Sequence, residues 1–523
     1  MKKENNSILK NTAIVGMFTA LSRVLGLVRE MLQSRLIGAG WEQSAFALAF
    51  AIPNMARKLF GEGALTAAFI PVFKKELETE GIEEARRLAR AVMSMALLML
   101  AAIVVLVMGG ITVSFSWFPW GMEEGSESCS RMHLILTLTR ILVPYMIFIC
   151  AAAFGMGIMN AMGRFTAAAF LPSLLNIVWI LALAYLVFCG ELTFAQRTCR
   201  IAAAILVAGA LQMALMFWCM GKRGMAPRFT FKGWNDSKVL LIWRNTAIGA
   251  IGAGAVQINY MLDQVLAQWA SPWAAAVIGY ADRLMDMPLG VIGVAFGTVL
   301  LPAFSGHFAK EDTEGAKKTF VATTEKMLFL ILPAAMGLCV LAPDVTKVVY
   351  EGNAFDSVAT ARVARAVVCY SAGLGFFGLQ KCLVPWFQAQ KDMKTPLVVS
   401  VRMVFLNAVL NVLSVWLLPV EWKHAGLAVS TVVCAAISCV MLGAIAVKRN
   451  GSLGFGKLVK PVFRIAAASV AMCAAIALLR PHAGKMLSSA GLGGIVFDVV
   501  LLAVMVFAGA ATYFGLMKIA NRK

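Results

Sequence analysis

Four arginines, Arg23, Arg29, Arg57 and Arg283, stand inside long apolar runs of this 523-residue chain. A charge at the centre of a membrane span costs about 2.5–3.5 kcal/mol on insertion scales, so such groups face a protein-lined or watery interior and by default mark function. Guanidinium forks bind phosphate and pyrophosphate bidentately, so the chemistry on offer is recognition of a large anion. Acids and a lysine accompany the arginines. Lys58 and Glu62 sit at i,i+4 and can pair; Asp282 and Asp286 share a helical face, and Arg283 can reach Asp286 at i+3. Arg23 and Glu30, seven residues apart, also share a face, with Arg29 about 120° away at ideal pitch. Asp263, Lys381 and Arg402 add further intramembrane charge. Salt bridges that merely fix helix packing account equally well for the local pairs. They account less well for arginines in several spans, which would each need a matching acid.

The elements that must position these groups are membrane helices. The chain is 60% hydrophobic and only 14% charged, and apolar runs of about 20 residues recur from end to end. The expected fold is an all-α polytopic membrane protein with about fourteen spans. The stretch from Phe46 to Phe73 is long enough to cross a bilayer, yet carries Arg57, Lys58 and Glu62 in its middle, flanked by Pro53, Asn54, Gly61 and Gly63. Proline and glycine allow a bend, and a bend frees backbone groups that must find partners away from lipid; this segment is expected to line a polar cavity. The N-terminal basic residues before an apolar run imitate a signal peptide, but no convincing cleavage site follows, which points to a retained first span.

The formal charge of +20 is spread over many short loops, with no basic domain and no aromatic-interleaved patch, which argues against nucleic acid as a partner. Basic loops alternate with loops nearly free of Lys and Arg, such as 38–43, 116–133 and 269–273, and this places both termini in the cytoplasm. The loop from Lys74 to Arg90 has opposite charges at i,i+4 and is expected to form a surface helix. Cys189 and Cys199 flank one polar loop and would pair only in an oxidising compartment; the remaining cysteines, of eleven, read mostly as small buried hydrophobes. The four histidines are far apart, with no metal-ligand cluster. No Walker A motif is present, so transport energy would come from an ion gradient, the membrane potential or the substrate gradient, and no cofactor is expected.

An internal repeat is legible. Lys10–Ile14 (KNTAI) matches Arg244–Ile248 (RNTAI), Pro71–Phe73 matches Pro302–Phe304, and Asn160–Thr166 (NAMGRFT) answers Gln388–Thr395 (QAQKDMKT), each at an offset of about 230 residues. Six spans separate the copies, an even number, so the halves are parallel repeats. The expected organisation is an N-lobe over 1–222, a C-lobe over 223–450, and two further C-terminal spans over 451–523, with substrate bound between the halves.

SRVLGLVRE at Ser22–Glu30, GAG at Gly38–Gly40, IPNMARKLFGEGALTAAFIP at Ile52–Pro71, YADRLMDMPLGVIGVAFGTVLLP at Tyr280–Pro302, KTP at Lys394–Pro396 and KHAGL at Lys423–Leu427 resemble the MurJ (MviN) family of the multidrug/oligosaccharidyl-lipid/polysaccharide exporter superfamily. The resemblance covers essentially the whole chain. It implies a bacterial lipid II flippase of the cytoplasmic (inner) membrane that works by alternating access in peptidoglycan synthesis, and not an enzyme. By motif position, Arg23, Arg29, Arg57 and Arg283 would handle the lipid pyrophosphate. Asp282 and Asp286 match acidic positions of the eighth span, the latter where Glu is common. The family often carries an Asp shortly after GAG; here EQSAF puts Ser44 at that position, with Glu42 two residues earlier, which bears on any gating role. Some members bind sodium, for which Asp263, Asn407 and Asn411 would be partial counterparts, although interhelical hydrogen bonding explains the asparagines equally well. The implied partners are lipid II, membrane lipids and the cell-wall synthesis machinery, and a groove near the last two spans would take the polyprenyl tail. The rival readings are an exporter of drugs or of another lipid-linked polysaccharide, an integral-membrane polyprenyl-phosphate enzyme, and a passive scaffold. The enzyme would need an acid-rich catalytic motif, and none stands out.

Overall fold

The computed structural model describes residues 2–61, 63–117, 126–491 and 493–520, and its regular elements are all helices. The chain divides into two compact units, Met1–Gln264 and Val265–Lys523. The first holds α1 (Lys2–Ile37), α2 (Trp41–Ala56), a π-helical turn (Arg57–Gly61), α3 (Ala64–Thr79), α4 (Ile82–Trp117), α5 (Glu127–Leu142), α6 (Tyr145–Ala161), α7 (Thr166–Phe188), α8 (Phe194–Gly221) and most of α9 (Ser237–Ala270). The second holds α10 (Ala274–Ala309), α11 (Thr313–Val340), α12 (Ala342–Tyr350), α13 (Ser357–Ala389), α14 (Lys394–Leu417), α15 (Val420–Asn450), α16 (Phe455–Ser489) and α17 (Gly494–Ala520).

Among the described residues, ten helical segments are long and apolar enough to cross a membrane. A total of fourteen also counts α1, the α2–α3 segment, α9 and α10. Of these, α1 and α10 have 36 residues each and α9 has 34, all more than a straight span requires.

In the first unit, α1 packs along α7, α2 along α5, and α6 against α8. Phe46 and Phe50 meet Trp179 edge-on at 5.7 and 5.6 Å, building an aromatic core behind the polar face of α1. Gly209 lets α8 approach α6 closely, since a Cβ there would fall 2.4 Å from the Tyr145 ring. Phe69 of α3 packs on Phe154 of α6 at 4.5 Å.

The bend expected in the second span is present and has a defined form. Pro53 lies inside α2, the chain then widens into the π-helical turn Arg57–Gly61, and the α-helix restarts at Ala64. Proline cannot donate to the helical ladder, and π-turns commonly sit at functional sites. Gly63 is required by space: a Cβ there would lie 2.3 Å from the Lys58 carbonyl oxygen. Glu62, and with it the expected Lys58–Glu62 pair, lies outside the described residues.

In the second unit α10 and α13 form the main helix pair, and α13 also packs on α11 and α15. Trp386, fully buried, is ringed by Phe304, Phe308 and Phe320 at 5.3, 5.1 and 5.9 Å. The pair α16–α17 docks on α11, where the Tyr513 hydroxyl donates to the Phe329 carbonyl at 2.6 Å. Its far end is tied to α12 by Arg480–Asp344 at 2.7 Å and Lys347–Asp498 at 2.8 Å.

The expected surface helix over Lys74–Arg90 is instead two helix ends joined at a tight turn. Helix α3 stops at Thr79, Gly81 adopts φ +88, and α4 starts at Ile82. A left-handed residue ends a helix whatever the charge pattern. The charges pair at i,i+3, Glu83–Arg86 at 2.8 Å and Glu84–Arg87 at 3.6 Å, while Glu76 reaches across to Lys238 at 2.8 Å. All eleven cysteines are free thiols, Cys189 and Cys199 included.

The turn before α14 supplies an ionic clip. The Thr395 amide donates to the Asp392 carboxylate at 2.9 Å, and the Thr395 hydroxyl and Arg449 also bind it. Burial alone would raise the Asp392 carboxyl, but these three donors outweigh it and hold the group down at about 2. A carboxyl depressed by folding stabilises fully above its ordinary value, and that contribution is lost as pH falls through the folded value. The thermal midpoint of the purified wild type should therefore exceed that of Asp392→Asn above about pH 4, and the gap should close as the pH approaches about 2. Replacing Gly63 by Ala should destabilise the protein by roughly 1–3 kcal/mol, read as a lower thermal midpoint, because the added methyl meets backbone that cannot rotate away.

Candidate functional site

The site-bearing residues of the first unit begin with Arg29. Among the described residues it is the one charged side chain of the expected set that is buried, at 9% exposure. Helix α7 holds it with two residues three apart, hence on one face. The Arg29 Nη1 donates to Asn176 Oδ1 at 3.1 Å, and its guanidinium carbon stands 4.3 Å from the centre of the Trp179 ring. Cation–π contact of this kind strengthens as water is excluded. On the other side Arg29 is in ion-pair contact with Glu30. Asn176 completes the clamp by donating to the Ser22 carbonyl at 3.1 Å, so one amide spans two turns of α1. Helix α1 runs unbroken through Gly26.

Arg23, two turns earlier, is exposed. In a span this exposure must be to a polar space, since hydrocarbon would not tolerate it. Arg57 opens the π-helical turn, and its Nε and Nη2 donate to Asn54 Oδ1 at 3.2 and 2.9 Å. Asn54, three residues earlier on the same span, is thus a local partner of Arg57. Lys58 stands 5.4 Å from the Tyr260 ring of α9. Ser44 is fully buried in α2, next to the Gln33–Gln43 side-chain hydrogen bond of 3.0 Å that locks the α1–α2 corner.

In the second unit Asp282, Arg283 and Asp286 follow one another on α10, Asp282 half-buried and the other two exposed. Lys381 of α13 lays its stem against Gly293, with its Cγ 3.5 Å from where a Cβ would be. Asn411 Nδ2 donates to Asn407 Oδ1 at 2.9 Å, both buried, and Asp263 Oδ2 accepts from Asn259 at 3.2 Å. One hydrogen bond thus joins the two amides, and the Asp263 carboxylate already has a donor. Among the described residues no group of three or more His, Cys, Asp or Glu could hold a metal ion.

Sequence reasoning missed Asn176, Trp179 and Tyr260. A polar Asn in the apolar run of α7 was the available signal. It also missed the lock around KHAGL. There His424 is fully buried against Trp273 at 5.0 Å, with its Nε2 3.0 Å from the Arg362 carbonyl; Arg362 stacks 3.9 Å from the Trp273 ring and reaches Glu421 at 3.1 Å. A Cβ on Gly426 would lie 2.5 Å from Leu418, so the glycine of that motif is a packing requirement.

Helices of this length and composition, with charged residues held inside them, define a multi-pass membrane protein. Its fold is that of a transporter. It matches a solved structure titled "Lipid II flippase MurJ, inward closed conformation", with a TM-score of 0.77 and 21% identity over 98% of this chain and 99% of the other. It also matches an inward-facing multidrug resistance MATE family transporter of the MOP superfamily, with a TM-score of 0.69 and 14% identity over 83% and 95% of the two chains.

The family model described as "Lipid II flippase MurJ" matches residues 33–491. A probable lipid II flippase MurJ of Rhizobium tropici is 34% identical over 83% of this chain and 80% of its own length. One of Vibrio cholerae is 32% identical over 83% and 82%, and one of Bdellovibrio bacteriovorus 30% identical over 100% and 97%. The chain belongs to the MurJ family.

Asn176→Leu should leave a buried guanidinium without its amide acceptor. The expected cost is about 1.5–3 kcal/mol, the range for a hydrogen bond to a charged group, read as a fall in thermal midpoint in detergent. Asn176→Asp, which keeps an acceptor, should be milder.

Proposed function

We propose that this protein is a lipid II flippase, moving the undecaprenyl-pyrophosphate-linked peptidoglycan precursor from the inner to the outer leaflet by alternating access. The observation that carries the reading is Arg29, a buried arginine held by Asn176, Trp179 and Glu30 in a family described by that activity. An arginine so held is preorganised, and its bidentate fork matches a pyrophosphate better than an ammonium would. We assign substrate binding to Arg23, Arg29 and Arg57 of the first unit and Arg283 of the second. Lys58, Glu62, Asp282, Asp286, Glu30 and Ser44 are assigned to the polar surroundings and gating. The protein acts as a transporter, not as an enzyme.

The bacterial cytoplasmic membrane, with both termini in the cytoplasm, is supported by the alternation of basic and nearly uncharged loops. A monovalent cation or the membrane potential supplies the drive; one charge moved across 100 mV is worth about 2.3 kcal/mol, and an anionic headgroup moving outward gains from an inside-negative potential. Asp263, Asn407 and Asn411 remain the residues assigned to a sodium ion. The polyprenyl tail is assigned to the surface of α16 and α17, whose apolar side chains, Phe463 and Phe507 among them, are largely exposed. Cell-wall synthesis enzymes are the expected neighbours.

Complementation tests this reading. In a bacterium depleted of its own lipid II flippase, the wild-type gene should restore growth. Arg29→Ala and Arg283→Ala should abolish rescue while membrane abundance stays normal. Growth with both variants would remove the arginines from the mechanism. Failure of a well-expressed wild type in several hosts would shift the assignment to another lipid-linked glycan or to drugs, a reading that the fold likeness to multidrug transporters favours.

A further inference from the structure

Residues 222–236 join α8 to α9 without regular structure, yet the segment is tightly built. Arg90 Nε donates to the Ala226 carbonyl at 3.1 Å, and the Thr230 amide donates to the Ser94 hydroxyl at 2.9 Å. Both bonds join residues 136 apart, so 226–230 runs beside the first turns of α4 in the same direction as that helix. Gly233, at φ +84, turns the chain back, and a Cβ there would lie 3.6 Å from that of Ala91. The Trp234 indole then closes the hairpin by donating to the Thr230 carbonyl at 2.9 Å. The segment therefore dips along α4 towards its apolar stretch and returns.

What this dip presents is two-faced. Phe229 and Phe231 are 54% and 67% exposed, although they sit at the tip of a pinned turn, with their rings edge-on at 4.9 Å. Arg228 and Arg86 lie within electrostatic reach of Arg90 and repel it, which Glu83 offsets only in smaller part. Neither Arg90 nor Arg228 is in ion-pair distance of a carboxylate among the described residues, whereas neighbouring Arg86 and Arg87 are paired with Glu83 and Glu84. Guanidinium groups within electrostatic reach of one another repel, and an anion bound by both relieves that repulsion. Beside the dip, Lys222 sits 3.6 Å from the ring of exposed Trp218, which continues the belt of aromatic and cationic groups. Aromatic rings prefer the headgroup level of a bilayer, and clustered cations next to a span attract anionic lipid.

We propose that this turn is a binding site for an anionic phospholipid of the adjoining leaflet, with Arg90 and Arg228 on its phosphate and Phe229 and Phe231 among its chains. A free phosphate or nucleotide would use the arginines and leave two exposed phenylalanines without a role. An acidic protein would need the surface to stand clear of the bilayer, whereas the turn runs with α4 into it. The site is separate from the arginines assigned to substrate, and it stands or falls independently of the transport reading.

The test is lipid retention. The full-length protein would be reconstituted in nanodiscs of phosphatidylethanolamine with a minor fraction of phosphatidylglycerol, extracted gently, and its bound lipids counted by mass spectrometry. The wild type should keep phosphatidylglycerol in excess over its bulk share. Arg228→Gln, which breaks no hydrogen bond of the turn, should reduce that excess by about fivefold, the factor for one cation at an anionic leaflet. Phe229→Ser with Phe231→Ser should reduce it with both arginines intact, and Lys74→Gln with Lys75→Gln should leave it unchanged. Unchanged retention in Arg228→Gln, or an equal loss in the Lys74/Lys75 control, overturns the proposal. Displacement of the lipid by millimolar inorganic phosphate with no effect of the phenylalanine changes also overturns it, since the site would then serve an anion alone. So does co-purification of an acidic protein on the turn in place of lipid.

Discussion

An arginine inside a membrane helix survives folding only if something replaces the water it has lost. In the first unit that replacement is the clamp of α7 on α1. Asn176 supplies an acceptor, Trp179 a π-face, and Glu30 a counter-charge to Arg29. The same Asn176 binds the Ser22 carbonyl, so the clamp also fixes how α1 lies on α7. Behind it Trp179 is packed by Phe46 and Phe50 of α2. The charge is thus coupled through one aromatic ring to the apolar core. A breach at Arg29 would leave a buried ion uncompensated, and such an ion costs far more than any single apolar contact contributes.

The broken second span follows from a related need. A continuous α-helix satisfies its own backbone and presents side chains on a fixed spiral. Pro53, the π-helical turn and Gly63 interrupt that spiral where Arg57 and Lys58 emerge. The interruption is tolerable in a membrane only away from lipid. Asn54 and Tyr260 then occupy the two cations from within the unit. Glycine has a parallel use elsewhere: Gly209 under Tyr145 and Gly426 under Leu418 each admit a side chain that a methyl would crowd.

The second unit carries its charges differently. Arg283 and Asp286 are exposed along α10, while a cation–aromatic lock, Arg362 on Trp273 with His424 and Glu421, sits at the ends of α10, α13 and α15. The repeat legible in the sequence therefore does not extend to identical chemistry.

Much of the fold was legible in the residues alone, because a bilayer leaves so few solutions. Long apolar runs must be helices, and charge-rich loops must lie outside. Even the break at Pro53–Gly63 could be read, since proline and glycine act locally. The Lys74–Arg90 segment was misread as one helix because a single left-handed glycine outweighs a favourable charge pattern. The arginines were legible as candidates because their cost in lipid is a property of the residue and its setting in the chain. Which of them is buried was not. Arg23 and Arg29 differ by six residues on one helix, and only the approach of α7, 147 residues further on at Asn176, makes one a clamped charge and leaves the other exposed. Sequence by itself determined that this chain is a helical membrane protein with cations in its spans, since hydropathy and helix period act over neighbours. Tertiary structure alone decided which partners hold those cations, because the partners come from helices whose meeting is set by packing and not by any local spacing.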